Sequence, residues 1–484
     1  MKRLVLTSAA LLAACILNAK ITLPPVIGDN MVLQQQTAAA IFGKAEPGKT
    51  VTVKTSWNKK KVSTTADSEN GKWLVRVQTP AAGGPYEITI TDGAKDKVTL
   101  HDVLIGEVWF ASGQSNMEMP MKGYGSQPAK DGVKYIASAK VSRPIRICNI
   151  KKQVSITVKD SCAGSWAKNT PNAVASTSAT AYFFADALQE VLDIPVGIIV
   201  SSWGGSPIEA WIKRDVLEKG YPETDLGHLD GKRPMKKKNY HEPCVLYNGQ
   251  VAPLIPFTFK GMIWYQGEAN RAWPDKYVKL QQSYVKMMRS DFEVPDAPFY
   301  CVQIAPYPYD NGRKTHSGYL CEAQQKSVQG LEHAGYATTV DIGEYGTIHP
   351  CHKQEVGQRL AWLALQNDYG MDAIEAVAPY YKEAEFHDGK AFVKFHVGKQ
   401  GLSPMGAPLS GFEIAGSDHV FHPAEARKGK HGNTVEVWSA DVPEPVAVRY
   451  CWRNWSVGNL YNNFGIPAGP FRTDDWPVNP SDWE

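Results

Sequence analysis

The chain has 484 residues and a formal charge of +3, with 52 Lys and Arg against 49 Asp and Glu. A balance this close excludes a protein held to nucleic acid by bulk electrostatics. With 43% hydrophobic and 21% charged residues, the composition excludes a disordered or fibrous chain, and the length implies two to four domains.

The first predicted element is an export signal over residues 1–19. Lys2 and Arg3 form a basic start, and residues 4–14 are almost all apolar or small. That run is too short to cross a bilayer core of ~30 Å. Two cleavage schemes fit it. One is ordinary processing after Ala19. The other treats Leu12-Ala13-Ala14-Cys15 as a lipoprotein box, which makes Cys15 a lipid anchor. Both predict export to the periplasm, the cell exterior or the envelope surface. No later stretch is long and apolar enough to be a membrane span. Seven cysteines remain beyond Cys15, an odd number, and none forms a CxxC pair, which argues against a zinc ribbon.

Residues 20–102 read as a β-sandwich module. Val51–Thr55, Trp73–Val77 and Tyr86–Ile90 largely alternate apolar with polar, and Pro47-Gly48 and Asn70-Gly71 mark turns. The first strand is expected near Ile21. The pattern changes over 103–375. Val103–Phe110, Val196–Val200, Gly261–Tyr265 and Phe299–Val302 are nearly continuous apolar runs, as in parallel strands buried on both faces. Helical faces lie between and after them, one at Ala181, Phe184, Ala185, Leu188 and Val191, another at Val356, Leu360 and Leu363. This alternation predicts an α/β sheet with ligands at the carboxyl ends of its strands. Residues 376–484 return to short β segments such as Ala391–Phe395 and Val435–Trp438.

Four loops just after predicted strands carry the chemistry. Gly113-Gln114-Ser115-Asn116-Met117 presents a serine at a strand end, where a nucleophile gains exposure and backbone donors. Alone it is weak, because serines after strands also cap helices, and Met117 stands where the full G-x-S-x-G elbow has glycine. Ser202-Trp203-Gly204-Gly205-Ser206-Pro207 follows the next strand. The N–H of Gly205 is a candidate oxyanion donor, although a plain turn explains the sequence too. Trp264-Tyr265-Gln266-Gly267-Glu268-Ala269-Asn270 offers Gln266 or Asn270 as a side-chain donor, and Glu268 to brace the loop or orient a neighbour. Asp341 through Pro350 places His349 where it can reach a serine across the sheet end.

Together these stretches resemble the sialate O-acetylesterase family of SGNH-type hydrolases. The opening segment Asp29-Asn30-Met31-Val32-Leu33-Gln34 and Val356-Gly357 with Arg359-Leu360 share in the likeness. The resemblance implies a flavodoxin-like three-layer catalytic domain in an α/β protein, with no metal and no cofactor. It implies Ser115 as nucleophile and His349 as general base. It places the Ser115 and Gly205 N–H groups around the oxyanion with a side chain of the third loop, Gln266 first and Asn270 second. Such hydrolases commonly carry Asp three residues before the His, where this chain has Gly346. Asp341, Glu344 or a backbone carbonyl would then orient the imidazole, and a Ser–His dyad is an alternative. The expected partner is an acetylated carbohydrate, with a sialate first. Its carboxylate would call for an Arg such as Arg271 or Arg313. Acetylated xylan would call for aromatic platforms such as Trp203, Trp211 or Trp273. A carbohydrate-binding protein without catalysis is the reading of another class.

Overall fold

The computed structural model describes residues 21–93, 97–309 and 314–477. The leader, Cys15 and Arg313 lie outside these ranges.

The central sheet is built around one long strand, β1 (Lys97–Gly113). The other strands that matter for the site are β2 (Ile145–Ile150), β3 (Gly164–Lys168), β4 (Val196–Ser202), β5 (Gly261–Tyr265), β6 (Phe299–Val302) and β7 (Ala334–Ala337). They lie in the order β7-β6-β5-β1-β4-β2-β3. All neighbours are parallel except β3, which runs antiparallel to β2 at the edge. The predicted apolar runs are therefore parallel strands. Their residues are apolar at every position because side chains alternate between two buried faces. In β1, Val108 and Phe110 join one hydrophobic cluster while Trp109 and Ala111 join the other.

Different helices cover those faces. α2 (Ala179–Leu192) and α5 (Lys353–Asp368) pack with Trp109 and Ala111, whereas α3 (Pro274–Asp291) and α4 (His316–Gln329) pack with Phe110. Ahead of all four in the chain, the one-turn helix α1 (Ser115–Glu118) follows β1 directly. Ser178 caps α2 by accepting the Ala181 N–H at 3.0 Å. Gly357 lets α5 approach α2, since a Cβ there would lie 2.6 Å from Phe183 Cβ.

The boundary expected at 102/103 falls inside β1. The first half of β1 pairs antiparallel with Gly83–Thr91 of the N-terminal region, and its second half pairs with β4 and β5. The two regions thus share a strand, with no linker between them. The first strand begins at Val32, and near Ile21 there is only an isolated bridge from Thr22 to Lys44. The C-terminal region forms antiparallel sheets around a third hydrophobic cluster. It docks on α4: a Cβ on Gly318 would collide with the Trp452 carbonyl, and Arg472 pairs with Glu322 at 3.1 Å. All seven described cysteines are free thiols.

Candidate active site

β1 ends at Gly113, where φ is 140° and a Cβ would run into the Tyr265 carbonyl of β5. Only glycine lets the two strand ends close in this way. The chain then turns, and the Gln114 N–H bonds to that same carbonyl at 2.9 Å. Ser115 opens α1 and is half-buried. The glycine loop after β4 lies against it. A Cβ on Gly204 would lie 3.3 Å from Ser115 Cβ. Glu118, on α1, accepts the Gly204 N–H and pairs with Lys152 at 2.7 Å. The Gly205 and Ser115 N–H groups have no acceptor among the described residues. Gly205 adopts φ 77°, a left-handed conformation that favours glycine.

Asn116 ties three loops together. Its Nδ2 donates to Glu268 Oε1 at 2.6 Å and to the Ile348 carbonyl at 3.1 Å. Its Oδ1 accepts from Lys353 Nζ at 2.6 Å. All three side chains are buried. Burial raises the Glu268 carboxyl and pushes the Lys353 ammonium down to about 7, with Glu268 opposing the second shift. Glu268 thus braces the loops, as its position suggested.

His349 follows Ile348 and is half-buried. Its Nδ1 lies 2.7 Å from Gln127 Oε1, and its backbone N–H donates to Thr347 Oγ1 at 3.0 Å. The Tyr124 ring stands edge-on to the imidazole, with centroids 5.2 Å apart, and the Tyr124 hydroxyl donates to the Ser115 carbonyl at 3.1 Å. Tyr124 and the Asn116–Ile348 bond bring the serine and histidine loops together. Burial, and then the Lys353 charge, push the imidazole down to about 4. His349 is therefore neutral at physiological pH, the form a base requires.

Several expected roles are corrected by these contacts. Neither acid reaches His349. Asp341 is held by Arg359 at 2.8 Å, and Glu344 accepts the Cys351 N–H. The third-loop amides are scaffolding and do not present oxyanion donors. Gln266 Nε2 donates to Asn270 Oδ1 at 2.7 Å, Gln114 Oε1 at 3.1 Å and the Ser206 carbonyl at 3.2 Å. Asn270 Nδ2 donates to Glu209 at 2.8 Å, and both amides are buried. Arg271 stacks on Tyr309 at 3.9 Å and donates to the Glu268 carbonyl. Trp211 is core, wedged edge-on against Trp264. Trp203 is half-buried and stacks on Tyr240 at 5.4 Å, while Trp273 is 58% exposed. Gln127, Tyr124, Asn116 and Lys353 were not anticipated. None sits in a chemical motif of its own, though Asn116 adjoins Ser115. One group of described side chains has the spacing to hold a cation, Glu344, Cys351 and His352, within 4.8 Å of one another. His352 is already paired with Glu355 at 2.9 Å.

The family model for carbohydrate esterases described as sialic acid-specific acetylesterases matches residues 105–366. Human sialate O-acetylesterase is 27% identical over 501 residues, covering 92% of this chain and 91% of the human protein. The mouse sialate O-acetylesterase is 27% identical over 511 residues, covering 92% and 93%. The crystal structure of a carbohydrate acetylesterase from Xanthomonas citri superposes with a TM-score of 0.83 at 35% identity, covering 94% of this chain and 100% of that one. The chain belongs to the carbohydrate esterase family of sialic acid-specific acetylesterases and is a carboxylic ester hydrolase.

Proposed function

We propose that the protein removes O-acetyl groups from carbohydrate by two-step acyl transfer at Ser115, with His349 as the base. The observation that carries this is the neutral His349 held against the serine loop by Tyr124 and by the Asn116–Ile348 bond. His349 Nε2 takes the Ser115 proton as Oγ attacks the acetyl carbonyl. The Ser115 and Gly205 N–H groups receive the oxyanion, and losing one such donor costs about 3–4 kcal/mol of barrier. The tetrahedral adduct collapses, and the sugar oxygen leaves with the proton from His349. Water, deprotonated by His349, then attacks the acetyl-enzyme and releases acetate and free Ser115.

The first substrate reading is an O-acetylated sialate, as the names of the curated relatives suggest. A second is an acetylated plant polysaccharide. Exposed Trp273, three residues beyond Asn270, favours it, and so does the engagement of Arg271 by Tyr309. The packing of helix pairs on both sheet faces supports reading residues 103–375 as a flavodoxin-like three-layer SGNH unit, flanked by β-rich regions over 20–102 and 376–484. The basic and apolar leader supports export, either by cleavage after Ala19 or with a lipid on Cys15. The test is acetate release from O-acetylated sialic acid and from acetylated xylan, beside Ser115→Ala. Activity on either substrate, lost in the variant, is the expected result. Activity that survives Ser115→Ala, or no acetate from any acetyl ester, removes the reading.

A further inference from the structure

Serine hydrolases usually orient the catalytic imidazole with a carboxylate that accepts its Nδ1–H and stabilises the imidazolium. In this chain the neighbouring acids are engaged elsewhere: Asp341 with Arg359, and Glu344 with the Cys351 backbone. The partner of His349 Nδ1 is the amide oxygen of Gln127, at 2.7 Å. An amide oxygen carries no proton, so the hydrogen in this bond belongs to Nδ1. That fixes the tautomer with the lone pair on Nε2, the form that can accept a proton from Ser115.

The holder is a built feature. Tyr124 and Gln127 are the two ends of a tight turn, closed by the Gln127 N–H on the Tyr124 carbonyl at 2.7 Å and the Tyr124 N–H on the Gln127 carbonyl at 2.9 Å. Gly123, at φ 78°, starts it, and a Cβ there would collide with the Gln127 carbonyl. Both turn ends touch the imidazole, Gln127 through its oxygen and Tyr124 through its ring. Tyr124 also bonds the Ser115 carbonyl. Downstream of the turn, the Lys130 N–H bonds the Cys351 carbonyl at 2.9 Å, tying this segment to the far side of the histidine loop.

We propose that Gln127 is the positioning residue of the general base, a neutral amide in the place an acid occupies in a Ser–His–Asp triad. This rests on the assignment of Ser115 and His349 above. A neutral acceptor sets the tautomer without drawing a proton onto the ring. The base therefore stays unprotonated into acidic solution. Lys353 is the charge acting on His349 and Tyr124 the titratable ring packed against it, and neither favours the imidazolium.

The test is the pH dependence of kcat and kcat/KM on 4-nitrophenyl acetate and on an O-acetylated sugar, for Gln127→Ala and Gln127→Glu, with thermal melting to verify folding. In Gln127→Ala, kcat is expected to fall about ten- to a hundredfold with KM within about twofold. Gln127→Glu keeps the acceptor and adds a charge, so the acid limb moves to higher pH while kcat at pH 8 stays near wild type. A purely structural role would not move that limb. A kcat within twofold of wild type in Gln127→Ala, or an unmoved limb in Gln127→Glu, overturns the proposal. Ser115→Ala and His349→Ala run beside them. If both abolish activity while the Gln127 variants stay silent, the positioning role alone fails. If either retains activity, the site assignment fails instead.

Discussion

The Ser115 side of the site is shaped by backbone, whereas the His349 side is shaped by side-chain hydrogen bonds. Around Ser115, Gly113 admits the Tyr265 carbonyl and Gly204 lies against the Ser115 Cβ. At Gly113 the contact leaves no room for a side chain, and at Gly204 a Cβ would crowd the serine, so the geometry on this side is steric. Around His349, the holding contacts come from Gln127 Oε1, the Tyr124 ring and, one residue earlier, Asn116 on the Ile348 carbonyl. Such contacts can be retuned one group at a time. The contrast teaches that substitutions on the first side should destroy the site, and those on the second should shift its rate and pH dependence.

Gly113→Ala should have the largest effect. It places a methyl against the Tyr265 carbonyl at φ 140°. A stability loss of about 2–4 kcal/mol is expected, with activity falling below detection. Thermal melting and acetate release check it, and a well-folded active variant would break the distinction between the two sides. Asn116→Ala comes next. It strips buried Glu268 and Lys353 of their shared partner and frees the Ile348 carbonyl. A loss of about 2–3 kcal/mol is expected, because buried polar groups are left unpaired. Denaturant unfolding would show it.

The third expectation concerns pH. His349 is held down to about 4, below the ordinary histidine value of about 6.5. The acid limb of kcat/KM should therefore lie near pH 4. The stability sign follows by linkage. Between about pH 6.5 and 4 the unfolded chain binds a proton at this residue that the folded chain does not, so the His349 contribution weakens stability as pH falls through that window. A pH–rate profile with its limb near 6.5 would contradict this placement of the base. The smallest effect belongs to Lys353→Met. Removing this charge should move the acid limb upward, because Lys353 is the second cause of the His349 depression. An unmoved limb in the pH–rate profile would mean that burial alone acts on the imidazole.

Much of the fold was legible because parallel strands buried on both faces must be apolar throughout, and Val196–Val200 and Gly261–Tyr265 lie within strands of the structure. The N-terminal boundary was not legible. The burial of Lys97–Gly113 does change from mixed to continuous at Val103, but a single strand runs on through the change, so the change in pattern marks no break in the chain. The loop that ends in Ser115 could be read because its requirements are local, a glycine at a strand end and a serine two residues later. Gln266 and Asn270 were expected as donors because amides in strand-end loops suit that task. Gln266 Nε2 donates instead to Gln114 and Ser206, and Asn270 Nδ2 donates to Glu209.

The sequence by itself determined the alternating α/β pattern and the strand-end loops on which Ser115 and His349 lie. All of these follow from periodicity and short-range conformational need. Only the tertiary structure decided what faces His349. Gln127 and His349 are separated by 222 residues, and a hydrogen bond across that distance leaves no periodic trace in either segment. The same is true of the Asn116–Lys353 bond, 237 residues apart. Which amide faces the imidazole depends on where a loop lands after the sheet has closed, and that is a property of packing.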